Sequence, residues 1–216
     1  MNIDYARLQM VNQQVRGWNV YDEDVLEMLR SLPREDFVPQ GYESLAFADM
    51  AIPLAHGESM MTPTLEGRLL QALGLRGGER VLEIGTGSGF MTACLAKLAA
   101  HVTSVDIHAD FIDGAAMKLE SAGIDNVALL QMDATCELPE ERFDAIAVTG
   151  SIQTFDPRFV DALTDDGRLF VVVGDAPAME AKLIERKGGH DWQTLSLFET
   201  DLKPLVHGAR PVEFSF

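Results

Sequence analysis

The stretch Arg80-Val81-Leu82-Glu83-Ile84 runs into Gly85-Thr86-Gly87-Ser88-Gly89 and Phe90, and 17 residues after Gly89 a second apolar run, Val102-Thr103-Ser104-Val105, ends at Asp106. An apolar run that stops at alternating glycines specifies strand, tight turn and helix in that order, because only glycine enters positive φ without steric cost. A second strand beyond the helix completes a βαβ unit and commits the chain to a parallel sheet. The glycines also let bare backbone approach a ligand, the helix start offers free N–H donors, and an acid at the next strand's tip can accept from ribose hydroxyls. These features point to a nucleotide-type cofactor.

Glycine spacing narrows the choice. The dinucleotide fingerprint has its third glycine three residues after the second, leaving room for a pyrophosphate. Here the third follows by two, at Gly89, and Phe90 takes the fingerprint's last position. This tighter turn, with Glu83 on the strand before it, resembles motif I of the S-adenosylmethionine (SAM)-dependent methyltransferases, so SAM is expected rather than NAD. The plain alternative is a glycine turn that binds nothing; Asp106, and a further acid at Asp133, weigh against it.

Short Val-, Ile- and Leu-rich runs at 80–85, 101–106, 127–133, 143–150 and 167–174 read as strands covered on both faces. Helical patterns fall at about 89–100, 108–122 and 157–164, with a Pro139 loop between the third and fourth strands. Runs at 181–187 and 195–201, joined across Lys187 to Asp191, suggest an antiparallel hairpin. The expected fold is α/β: a doubly wound, mostly parallel, seven-stranded Rossmann-like sheet with a helical N-terminal region and the hairpin at its end. Residues 1–61 read as a cap region and 62–216 as the SAM-binding core. In the cap, Tyr5, Leu8, Val11 and Val15 suggest one helix with Asp4 as N-cap. Val25, Leu26, Met28 and Leu29 mark a second helix before Pro33, and the pair is expected to cover the cofactor end of the sheet. Thr62-Pro63 opens a further helix that buries Leu65, Leu69, Leu70 and Leu73.

The net charge of −17, from 17 basic and 34 acidic residues, repels phosphate backbones, so no nucleic-acid partner is expected. No apolar run is long enough for a membrane span, and the N-terminus lacks a secretory pattern, which suggests a cytoplasmic protein. Cys94 and Cys136 have no Cys or His at metal-ligand spacing and read as buried small hydrophobes, with neither disulfide nor metal site expected.

Across nearly its whole length the sequence resembles the protein-L-isoaspartate O-methyltransferases, which methylate the isoaspartyl carboxylate of damaged proteins. The matching segments are Met10 to Arg16, Pro33 to Pro39, Ala48 to Leu54, the Val81 to Gly89 loop, Phe143 to Thr149, and Pro204-Leu205-Val206. The resemblance implies SAM contacts at Glu83, Gly85, Thr86, Gly87 and Gly89, ribose contacts at Asp106 with Ile107 beside it, and an adenine neighbourhood at Asp133 and Ala134. It implies a protein or peptide substrate bearing isoaspartyl residues, entering between the N-terminal helices and the last strand.

One segment departs from the family. Aligned on Gly57 and Pro63, its active-site serine position is Met61, and a thioether cannot donate a hydrogen bond. Ser59 and Thr62 are the nearby hydroxyl candidates, and both also suit capping roles. The run Asp201-Leu202-Lys203-Pro204 is more polar than the family pattern. Two other readings therefore stand beside the first: a methyltransferase of this fold with a different, small or protein-borne acceptor, and a SAM-binding protein without catalysis.

Overall fold

The computed structural model describes residues 2–189 and 191–208. The chain opens with α1 (Ile3–Gln9), which passes directly into a π-helical segment, Met10–Val15. Asn2, not Asp4, caps α1: its side chain accepts from the Tyr5 N–H, while Asp4 sits in the first turn and pairs with Arg7. The expected stripe also breaks. Tyr5 and Leu8 are exposed, whereas Met10, Val11 and Val15 are buried, because the wider π turn shifts the phase of the buried face. Helix α2 (Glu23–Ser31), capped by Asp22, buries Val25, Leu26, Met28 and Leu29 as expected.

Two short strands, β1 (Ile52–Pro53) and β2 (Ser59–Met60), pair antiparallel and hold the 54–58 loop between them. Helix α3 (Pro63–Leu73) begins at its Thr62 cap, buries the four expected leucines and ends at Gly74 in the left-handed conformation. The βα rhythm follows: β3 (Arg80–Ile84), α4 (Phe90–Leu98), β4 (His101–Asp106), α5 (Ala109–Ser121), β5 (Val127–Gln131), β6 (Phe143–Ile152), α6 (Arg158–Asp161), β7 (Leu163–Asp175), β8 (Ala178–Gly188) and β9 (Asp191–Thr200). The seven-stranded order is β5-β4-β3-β6-β7-β8-β9, parallel through β7 and antiparallel for β8 and β9.

Strand alternation divides the apolar side chains between two cores. Val81, Ala145, Ala147, Phe170 and Val172 face a layer built from α3, α4, α5 and the N-terminal helices. Leu82, Ile84, Ile146, Val148, Leu169 and Val171 face α6 and the loop after β5. The N-terminal helices thus pack on one sheet face, against α3 and α4, and not over the strand ends. The strand ends are covered instead by the 54–61 segment, which the β1–β2 pairing carries across the top of the sheet.

Two further expectations change. The hairpin strands reach inward to Gly188 and Asp191, so the five-residue loop shrinks to a two-residue connection; Gly188 and Gly189 both take positive φ there, and His190 lies outside the described residues. Cys94 is buried in α4, but Cys136 is exposed, because it follows β5 in a turn organised by Asp133 rather than in a packed element. Among the described residues no helix is long and apolar enough to cross a membrane.

Candidate active site

Strand order reverses between β3 and β6, and a cleft opens beyond their carboxyl ends, the place where such sheets take ligands. The glycine turn forms its floor. Gly85 has φ +103°, and a Cβ there would lie 2.3 Å from the hydroxyl oxygen of Thr149 in β6. Gly87 has φ +49°, and a Cβ would come within 3.3 Å of Leu54 in the covering segment. Gly89 stands back from the cleft as the α4 cap; its bare Cα lets Ala115 of α5 approach.

The cleft has two compartments that share Gly85, Gly87, Leu54, Ser59 and Thr149. In the outer one Asp106 meets an apolar slot formed by Ile107, Phe111, Met132, Ala134, Leu205 and Val206. Asp106 accepts from the backbone N–H of Gly87 and of His108, both at 2.9 Å, which fixes its carboxylate at the tip of β4. Asp133 borders the same compartment two residues past the end of β5. Burial pushes its carboxyl up, but hydrogen bonds from His207 and Thr135 outweigh this and hold it at about 2, so it is ionised at neutral pH. Part of Asp133 therefore builds a turn while its edge still faces the slot.

The inner compartment lies between the glycine turn and the covering segment. Met61, Ser59, Thr86, Ser88, Met91 and Glu66 reach it. Glu66 is buried and its carboxyl is raised by desolvation, against which the fully buried Arg34 guanidinium acts through two bonds of 2.9 and 3.0 Å. Arg34 also donates to the carbonyls of Ala46 and Met61, each at 2.9 Å, so the pair clamps the covering segment onto α3. Of the two hydroxyl candidates, Ser59 faces both compartments, whereas Thr62 accepts from the Leu65 N–H and serves the helix start.

Glu83 is fully buried beneath the turn, away from both compartments. It accepts from Thr92 and Ser104, each at 2.5 Å, while its other oxygen has no protein partner. Burial raises its carboxyl to about 8 despite those two bonds. Thr86 joins this network through Ser104 at 2.6 Å. Thr149 and Gly150 were missed as site residues although the two directly follow Val148, the last β6 residue paired with β3 at the switch point. Thr149 donates to the Ile84 and Gly85 carbonyls, and Gly150 leaves space for Leu205, whose segment pairs with Ser151.

A model of the family described as protein-L-isoaspartate(D-aspartate) O-methyltransferase (PCMT) matches residues 7–209. The chain belongs to this family. A Pelobacter propionicus protein-L-isoaspartate O-methyltransferase 2 is 34% identical over 95% of this chain and 92% of its own length. The Methanoculleus marisnigri protein-L-isoaspartate O-methyltransferase is 37% identical over 84% of each. The fold superposes on a Plasmodium falciparum structure described as a member of this enzyme class in complex with S-adenosyl-L-homocysteine, with a TM-score of 0.81 and 20% identity over 92% of this chain and 97% of the other. At Met61 this PCMT chain places a buried thioether on the inner compartment.

Proposed function

We propose that the protein is a SAM-dependent O-methyltransferase acting on the carboxylate of L-isoaspartyl residues in proteins or peptides. Family membership supports the reaction class, and the meeting of the two compartments at Gly85, Gly87 and Thr149 is the observation that carries the assignment to this cleft. The residues present suit SAM: the Asp106 side chain for vicinal hydroxyls, an apolar slot for a purine with Asp133 at its edge, and a glycine floor whose Cβ positions are already filled by Thr149 and Leu54. When bound, that cofactor supplies a methyl group on a positively charged sulfur.

The chain's own task is positioning. An isoaspartyl carboxylate is ionised at neutral pH, so methylation needs no strong base, and holding the oxygen in line with the methyl supplies most of the rate. Ser59 and the backbone of the covering segment are the polar groups placed to orient it, since Met61 offers no donor. We assign Gly85, Gly87, Asp106, Ile107, Asp133 and Ala134 to the cofactor directly, and Glu83, Thr86 and Gly89 to supporting the turn. Residues 1–61 act as the cap and 62 onward as the catalytic core, with substrate admitted between the 54–61 segment and residues 202–206.

Met61 favours a second reading, in which the inner compartment serves another acceptor. The deciding experiment is transfer of labelled methyl from SAM to an isoaspartyl peptide beside its aspartyl counterpart. Selective labelling of the first is expected. Labelling of neither, by a protein that binds SAM, overturns the substrate assignment and leaves the cofactor assignment standing.

A further inference from the structure

At the rim of the outer compartment, which His108 lines, His56, His108 and Asp110 form a group that the methyl-transfer reading does not use. His56 projects from the covering loop, and His108 and Asp110 lie at the start of α5. One nitrogen of each imidazole and one oxygen of Asp110 fall within 4.8 Å of one another. The His56 and His108 rings stack with centroids 3.9 Å apart, and His56 Nε2 lies 2.9 Å from the Asp110 carboxylate. His108 Nε2 is shielded from solvent and has no hydrogen-bond partner. His56 also holds a left-handed backbone, φ 57°, uncommon for a residue with a side chain, and this aims its ring at α5.

We propose that His56, His108 and Asp110 form a binding site for a divalent first-row transition ion of the zinc class. Two imidazoles and a carboxylate are the donor set that such ions prefer over magnesium or calcium, and three protein ligands leave room for water. The ring planes are parallel to within 6°, so a shared ion requires one ring to turn. The exposed His56 ring can turn about its broad terminal torsion, giving up its stacking on His108. The positive end of the α5 helix dipole opposes a cation. That cost is small beside metal–imidazole bonding. An ion here ties the 54–58 loop to α5 beside the cleft entrance. His56 and His108 are 52 residues apart, beyond any local spacing rule for metal ligands.

The test uses cobalt(II) as a visible probe, titrated into the intact protein and then displaced with zinc, and does not rely on enzyme activity. The expected result is one equivalent of cobalt with a d–d absorption band, removed by one equivalent of zinc. Affinity should fall at least tenfold in His56→Ala and in Asp110→Asn and stay unchanged in His101→Ala. Both changed side chains are exposed, so the variants should fold, which circular dichroism checks. Absence of saturable binding, or equal affinity in wild type and His56→Ala, overturns the proposal.

Discussion

Asp106 and Glu83 are both acids at strand ends beside the glycine turn, yet burial gives them opposite work. Asp106 borders the cleft and faces ribose under the proposed function; removing a charged acceptor of this kind costs about 1.5–3 kcal/mol, so Asp106→Ala should weaken SAM binding roughly tenfold to a hundredfold by calorimetry. Unchanged affinity in the folded variant would rule out the ribose role. Glu83 points inward and, with its carboxyl raised to about 8, is protonated at neutral pH. Its unfolded value is near 4.5, so the folded state binds the extra proton: the stabilisation is full below about pH 4.5 and is lost as pH rises through about 8. Glu83→Gln keeps the shape without the proton, and should flatten the decline of stability between pH 5 and roughly 8.5, on the order of a few kcal/mol, in urea denaturation. Parallel pH profiles for the two proteins would contradict it. At Met61 the residue type was plain from the chain, but its consequence was not. If a missing orienting donor limits the reaction, Met61→Ser should raise kcat/KM on an isoaspartyl peptide about tenfold, or ~1.4 kcal/mol. Equal activity in both forms would move attention to Ser59, which already faces both compartments.

At the scale of elements, α3 packs between the N-terminal helices and the sheet. Gly67 lies in its interior, where alanine ordinarily gains up to about 1 kcal/mol of helix propensity. Here the added Cβ would stand 2.6 Å from Val15 and 3.3 Å from Val20, both fully buried in the N-terminal layer. Overpacking of that kind costs about 1–3 kcal/mol and should win, so Gly67→Ala is expected to lower Tm by roughly 2–4 °C per net kcal/mol lost. A raised Tm would mean that the π segment yields. The same helix shows what sequence can disclose. Thr62, Pro63 and the leucine spacing act through local backbone geometry, and the helix appears where they place it. The apolar strand runs and the parallel, doubly wound sheet were legible for the same reason, since strand, glycine turn and helix are each written in consecutive residues. The π segment was not, because a one-residue widening of a helix leaves no mark in a 3.6-residue pattern. Nor was the inward aim of Glu83, which depends on Thr92 and Ser104 meeting it from two other elements.

Over the whole molecule the charge of −17 sets a field that no single contact reveals. The cleft repeats its sign: Glu58, Asp106 and Asp133 border it, while Lys203 is already paired with Glu58 and His207 with Asp133. An anionic acceptor group must therefore approach against a repulsive potential, and flanking residues of the peptide decide how much of that is offset. Repulsion between exposed charges fades beyond about 10 Å at 0.1 M salt and beyond about 3 Å at 1 M. Two isoaspartyl peptides, one flanked by lysines and one by glutamates, should accordingly differ in KM at low salt, with the lysine peptide favoured. Raising sodium chloride to about 1 M should bring the two KM values together while leaving the kcat ratio near one, because the field acts on encounter and binding rather than on the in-line displacement. Steady-state kinetics at three or four salt concentrations would measure this. A preference that persists at 1 M salt would locate the discrimination in direct side-chain contacts along the cleft, and a preference for the glutamate peptide would show that a local basic patch overrides the net charge.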